Sequence, residues 1–281
     1  MLIEAAQQQS FTSLRRFADK LLVGADTEAL LYGNLDGDEA QQLADMIDQH
    51  LLVAGKAPEL AQAQVVKMSA GEAGGKPWLR ALAVDHQDNA VALYFQGLDD
   101  SMADAAHMQV LRQTLRAPFF HELRTEKQLG YIVFATAMGL KDVPGSALVV
   151  QSPKASADDL VGEISGFVER FGPLSAADLT QHIRAVADRL REQPRNQAEQ
   201  GQRHWDDILH ENAAFDRREQ LARAVEKVTG DSYAQYFSKV LQDPQRLLWL
   251  TSRDLSEGRD SFRPIDSQAT FKAGLPSYDY P

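Results

Sequence analysis

Phe119-Phe120-His121-Glu122-Leu123-Arg124-Thr125-Glu126-Lys127-Gln128-Leu129-Gly130-Tyr131 lies near the middle of a 281-residue chain, and its reading decides the fold. Upstream, Met108, Leu111, Leu115, Phe119 and Leu123 recur every three or four residues, the spacing of a helix with one buried face. Downstream, Tyr131-Ile132-Val133-Phe134 is β-branched and aromatic, the composition of a strand. Gly130 marks the break between the two. A helix end therefore feeds straight into a strand. Arg124 lies in the last helical turns and Tyr131 opens the strand, so a guanidinium and a phenol emerge together at one corner.

Outward from this corner, the helix is predicted over 101–128, interrupted at Pro118, which lacks the N–H of the helical ladder. Before it, the apolar runs 78–84 and 90–96 flank Asp85-His86-Gln87-Asp88-Asn89 and read as a β-hairpin. After it come strands over 129–137 and 147–151. The chain then turns helical. Ser156-x-x-Asp159, Ser175-x-x-Asp178 and Thr229 open helices that end near Phe171, Glu192 and Leu241, and 196–211 and 214–228 give two more. Residues 246–251 form a last strand, and 256–281 read as a polar, irregular surface segment.

Toward the N-terminus, residues 10–23 place Phe11, Leu14, Phe17 and Leu21 on one helical face. Residues 28–32 read as a short apolar strand. Asp36 with Glu39 has capping-box spacing and opens a helix to about Leu52. This piece is too small to hold a core alone. Loop-rich stretches at 55–58 and 71–77 flank a short candidate strand at 64–68, so the domain boundary is expected near residue 58. Strands followed by runs of helices define an α+β class, an open and mostly antiparallel sheet flanked by helices.

Composition narrows the function. Hydrophobic residues make up 44% and charged residues 25%, ordinary for a globular protein. No apolar run approaches the roughly eighteen residues that span a bilayer. Net charge is −11, from 40 acidic and 29 basic residues, which disfavours nucleic acid and anionic membranes as partners. The first residues do not read as a secretory leader. Cysteine is absent, so thiolate metal sites and cysteine nucleophiles are excluded. Among the seven histidines (His50, His86, His107, His121, His182, His204 and His210) no pair has the spacing of four that puts two imidazoles on one helix face. Neither His-Glu-x-x-His nor His-x-x-Glu-His occurs, and Gly-x-Ser-x-Gly is missing. Gly71-Glu72-Ala73-Gly74-Gly75 lacks the Lys-Ser/Thr of a phosphate loop. Arg124 and Tyr131 remain. An arginine presents a rigid fork of donors and a tyrosine hydroxyl can donate to an oxyanion. On spacing alone the plainer reading is an ion pair of Arg124 with Glu122 or Glu126, and a core aromatic for Tyr131; Phe119, Phe120 and Leu123 also read as core.

The same stretch resembles a signature of the insulinase/pitrilysin (protease III-like) family of zinc metallopeptidases, in its C-terminal half, through Leu123-Arg124-Thr125 and Gln128-Leu129-Gly130-Tyr131. Further elements are similar: Tyr32-Gly33-Asn34-Leu35, His204-Trp205-Asp206-Asp207-Ile208 with Phe215-Asp216-Arg217, and Phe271-Lys272 with Gly274-Leu275-Pro276. The resemblance implies that 1–58 close a third family domain and 59–281 form a complete, non-catalytic fourth. It implies a metalloendopeptidase whose zinc sits in an N-terminal half of the same polypeptide, with peptides as substrates. Arg124 and Tyr131 then contact substrate beside that zinc. No metal or catalytic residue is expected in this chain, which alone is expected to be inactive. Bacterial relatives imply a periplasmic setting. The rival reading is a non-enzymatic scaffold or assembly module derived from the same family.

Overall fold

The computed structural model describes residues 2–21, 23, 28–50, 64–70 and 75–278. The expected boundary near residue 58 lies outside them. Among the described residues the α-helices are α1 (Leu2–Gln7), α2 (Phe11–Leu21), α3 (Gly37–His50), α4 (Met102–Phe120), α5 (Ala157–Arg170), α6 (Ala176–Arg191), α7 (Gln197–Leu209), α8 (Arg217–Glu226), α9 (Gly230–Leu241) and α10 (Gln268–Ala273). The strands are β1 (Trp78–Ala81), β2 (Asn89–Gln96), β3 (Ile132–Ala137), β4 (Gly145–Ser152), β5 (Leu247–Thr251) and β6 (Arg263–Pro264). The chain divides into two compact units, residues 1–63 with 194–215, and residues 64–193 with 216–281.

In the first unit, Asp36 and Glu39 form the expected capping box: each backbone N–H meets the other's carboxylate, at 3.0 and 2.9 Å. The apolar stripe of α2 is present, but Phe11, Leu14, Phe17 and Leu21 are all exposed. The strand expected at 28–32 does not form; that segment has no ladder partner, and the Tyr32 ring instead packs edge-on against His204 at 5.1 Å.

The second unit is an α+β domain on a six-stranded sheet of order β3-β4-β2-β5-β1-β6. The β3–β4, β4–β2 and β2–β5 pairs are antiparallel, and β5–β1 and β1–β6 are parallel. The expected β1–β2 hairpin is therefore corrected: β5 inserts between them, with Leu93 opposite Trp249 and Leu79 opposite the same residue on the other side. The polar run between β1 and β2 carries the chain over β5 rather than closing a tight turn. The segment 256–281 is also corrected, because it supplies β6 and α10. Its Leu275 and Tyr278 are buried, and it is tied back by Lys67 N–H to the Pro276 carbonyl and Tyr278 N–H to the Val65 carbonyl, both at 2.8 Å.

One sheet face buries Val91, Leu93, Phe95, Leu148, Val150 and Trp249 against Leu111, Leu115 and Phe119 of α4, Ile164 and Phe167 of α5, and Phe237 of α9. Burying one such side chain contributes about 1.5–3 kcal/mol, so this layer dominates the unit's stability. The expected caps are in place: Ser101, Ser156, Ser175 and Thr229 each accept the N–H three residues on. Pro118 does not interrupt α4. It lies inside the helix, which runs on through Phe120.

Asp104, in the first turn of α4, accepts the Leu98 N–H on both carboxylate oxygens at 3.1 Å. Burial pushes its carboxyl up to about 6, only partly offset by that Leu98 N–H and by the Tyr236 hydroxyl beside it. An acid whose value rises on folding adds stability below its ordinary range near 3.8 and loses it as pH climbs through 6. We expect wild-type stability to fall relative to Asp104→Asn between those two values, by about 2–3 kcal/mol at 1.4 kcal/mol per unit. Urea midpoints across that window measure it, and parallel profiles would contradict it.

Candidate functional site

The corner between α4 and β3 is built by three backbone devices. Beyond Phe120 the helix widens into a π-helical turn, His121–Glu126, in which the Lys127 N–H reaches back five residues to the Glu122 carbonyl at 2.9 Å. Gln128 then takes a left-handed φ of +51°, and the Leu129 N–H closes on the Leu123 carbonyl at 3.0 Å. Gly130 follows with a negative-φ backbone, so the helix stop is at Gln128 and not at the glycine. What Gly130 supplies is proximity: a Cβ there would lie 1.9 Å from the Gln151 carbonyl oxygen of β4. The buried Ser152 fixes the preceding residue, donating its hydroxyl to the Leu129 carbonyl and accepting the Ala155 N–H at 3.0 Å.

Leu123 and Phe119 are fully buried, as the helical stripe requires. Phe120 is 47% exposed and is corrected from core to surface; it stands one position off the 111-115-119-123 row, a signal the spacing already held. Tyr131 is 86% exposed and Arg124 half-buried. The Arg124 guanidinium lies over the Tyr131 ring at 4.9 Å from its centre, a cation–π contact.

The ion pairs entertained for Arg124 go elsewhere. Glu122 pairs with Lys127 at 2.8 Å and with Arg170, while Glu126 meets His121 at 3.2 Å. Burial would raise the Glu122 carboxyl, but Lys127 and Arg170 hold it below the usual carboxylate range. Lys127 is in turn raised by Glu122 and Glu163. These neighbours neutralise one another and leave Arg124 without a carboxylate among the described residues.

Phe120, Arg124, Gln128, Tyr131, Pro153 and Lys154 line an open depression of about 530 Å³. Sequence reasoning missed Phe120, Pro153 and Lys154 as parts of it; the last two belong to the turn after β4, which only the β3–β4 pairing brings here. The depression presents a guanidinium fork, a phenol and an ammonium beside apolar surface. Such a set binds a carbonyl or anionic oxygen and the side chains flanking it. Among the described residues no three His, Asp or Glu side chains gather as metal ligands, and no helix is long and apolar enough to cross a membrane.

Residues 110–205 match the family described as "PQQ synthase PqqF-like, C-terminal lobe domain 4". Human insulin-degrading enzyme is 24% identical over 247 residues, 85% of this chain and 24% of that protein. Coenzyme PQQ synthesis protein F of Pseudomonas syringae pv. tomato is 31% identical over 185 residues, 65% of this chain and 23% of that protein. The crystal structure of pitrilysin superposes with a TM-score of 0.79 at 20% identity, over 96% of this chain and 30% of that one. A peptidase M16 inactive domain from Pseudomonas fluorescens gives 0.63 at 14% identity, over 89% and 60%. The fold is that of the M16 peptidase inactive domains. The chain is similar to the C-terminal lobe of PqqF-like proteins and to insulinase-family peptidases, and it spans about a quarter of the length of the curated relatives it matches.

The close approach at Gly130 makes a direct test. Gly130→Ala forces a methyl group into the Gln151 carbonyl, so we expect a loss of about 2–3 kcal/mol, read as a lower urea midpoint. An unchanged midpoint would show that β3 and β4 do not approach as described.

Proposed function

We propose that this chain is the non-catalytic wall of the substrate chamber of a zinc metalloendopeptidase, with Arg124 and Tyr131 contacting peptide beside a zinc held by the N-terminal half of the same polypeptide. The observation that carries the reading is the exposed Arg124–Tyr131 pair: a cation stacked on a phenol, free of carboxylate partners among the described residues and set in an open depression. Tyr131 is exposed, and the half-buried Arg124 is not neutralised by a carboxylate among the described residues. Residues 1–58 are read as the close of a third family domain and 59–281 as the fourth. The resemblance to bacterial relatives supports a periplasmic setting.

In the assembled enzyme the zinc would supply the activated water. The residues of this chain bind and orient. The Arg124 fork holds the substrate backbone, and the Tyr131 hydroxyl donates to the carbonyl oxygen as it gains charge. The ring under the guanidinium fixes the direction of both groups, which lowers the entropy lost on binding.

Tyr131→Phe in the intact polypeptide keeps the ring and removes the donor. Turnover is expected to fall by about 10²–10³-fold, the usual loss for one oxyanion donor, with thermal stability unchanged because the side chain is exposed. Peptide cleavage at saturating substrate measures it. Wild-type turnover in the variant would remove Tyr131 from the chemistry. The isolated chain supplied with zinc is expected to cleave nothing.

A further inference from the structure

The sheet begins at β3, which pairs only with β4 among the described strands. The Met138 N–H bonds the Gly145 carbonyl at 2.9 Å, one step beyond the Ala137–Ser146 pair. Bonded and non-bonded pairs alternate along an antiparallel ladder. Ile132, Phe134 and Thr136 therefore turn their backbone groups toward β4, and the Ser146 hydroxyl donating to the Thr136 carbonyl at 2.7 Å agrees with this. Val133, Ala135 and Ala137 turn theirs to the outer edge. Val133 is buried, Ala135 half-buried and Ala137 exposed, so the edge opens toward the far end of the strand.

Native edges are normally guarded by a charge, a proline or a bulge. From Ile132 to Gly139 there is neither a charged residue nor a proline. The register also runs unbroken, with no bulge, from Ile132 opposite Gln151 to Ala137 opposite Ser146. Beside the edge, Ile132, Phe134 and Met138 are each about two-fifths exposed, and these alternate positions share one face. An unguarded row of backbone donors and acceptors is matched by another backbone. An apolar strip at every second residue is matched by a strand with apolar side chains at the same period.

We propose that the outer edge of β3 at Ala135 and Ala137 takes an extended peptide segment as an added strand, with apolar side chains at alternate positions laid beside Phe134 and Met138. This rests on the reading of the chain as a peptide chamber wall and deepens it. Arg124 and Tyr131 grip one carbonyl at the start of β3, and the edge holds the segment that continues from it by main-chain hydrogen bonds that are indifferent to sequence.

The test uses the 281-residue chain and a soluble ten-residue peptide of alternating lysine and valine, alongside the same peptide N-methylated at every amide. Amide exchange is followed residue by residue. The unmodified peptide is expected to slow exchange at Ala135 and Ala137 by about tenfold or more, and the methylated peptide to leave it unchanged. Protection retained with the methylated peptide, protection elsewhere only, or none at millimolar peptide would overturn the proposal. Sedimentation velocity covers a second copy as the occupant: a dimer whose Ala135 and Ala137 amides are already protected without peptide would also overturn it. The chain is assayed without its zinc half, so this result is independent of Tyr131→Phe turnover, and either reading can fail alone.

Discussion

Gly130 lies so close to the Gln151 carbonyl of β4 that no side chain fits between them, and the corner of the molecule that matters is set by that contact. It fixes where the strand after α4 enters the sheet. Leu123 anchors the other side, fully buried beneath the π-helical turn. Between two such anchors only a few residues remain, and they have to pass from a helix to a strand in one tight reversal. Gln128 absorbs the reversal by adopting a left-handed backbone. A non-glycine residue held there costs on the order of 1 kcal/mol or more, offset by the packing on either side of it. Arg124 and Tyr131 are carried outward by this geometry and brought ring against guanidinium.

The charges around the corner divide the labour. Glu122, Lys127, Glu163 and Arg170 form a linked set that satisfies itself at the half-buried base. Exposed pairs of this kind contribute little to stability, about 0–1 kcal/mol each. Together with the His121–Glu126 contact, they leave Arg124 without a carboxylate partner among the described residues. Arg124, stacked on Tyr131, lines an open depression with its charge unmatched by a carboxylate among the described residues. It fits a ligand that brings its own oxygen.

Local signals were legible in the sequence. Ser101, Ser156, Ser175 and Thr229 opened helices where expected, because a cap needs only the next three residues. The helix-to-strand corner and the mostly antiparallel α+β sheet also followed from periodicity. Non-local pairing did not. Nothing in residues 78–96 says that β5, some 150 residues later, will part β1 from β2. The tail 256–281 reads as irregular because its elements are short, two paired residues of β6, the six-residue α10 and a few buried side chains. Pro118 reads as a break because a missing N–H usually ends a ladder. Here the helix continues past it to Phe120, and a π-helical turn follows. Arg124 and Tyr131 were visible only through a resemblance, since spacing alone favoured a buried aromatic and an ion pair. Phe120 carried its own signal, one step off the apolar row, and the depression it lines needed the β3–β4 pairing to exist.

The central claim is that the Arg124–Tyr131 pair meets substrate. The most direct measurement is a structure of the intact polypeptide with a non-cleavable peptide analogue bound. The account predicts the scissile carbonyl oxygen within hydrogen-bond reach, about 2.7–3.2 Å, of the Tyr131 hydroxyl, with the Arg124 fork on the adjoining backbone. A bound peptide that leaves Tyr131 and Arg124 stacked on each other in solvent, touching no part of it, would contradict the account.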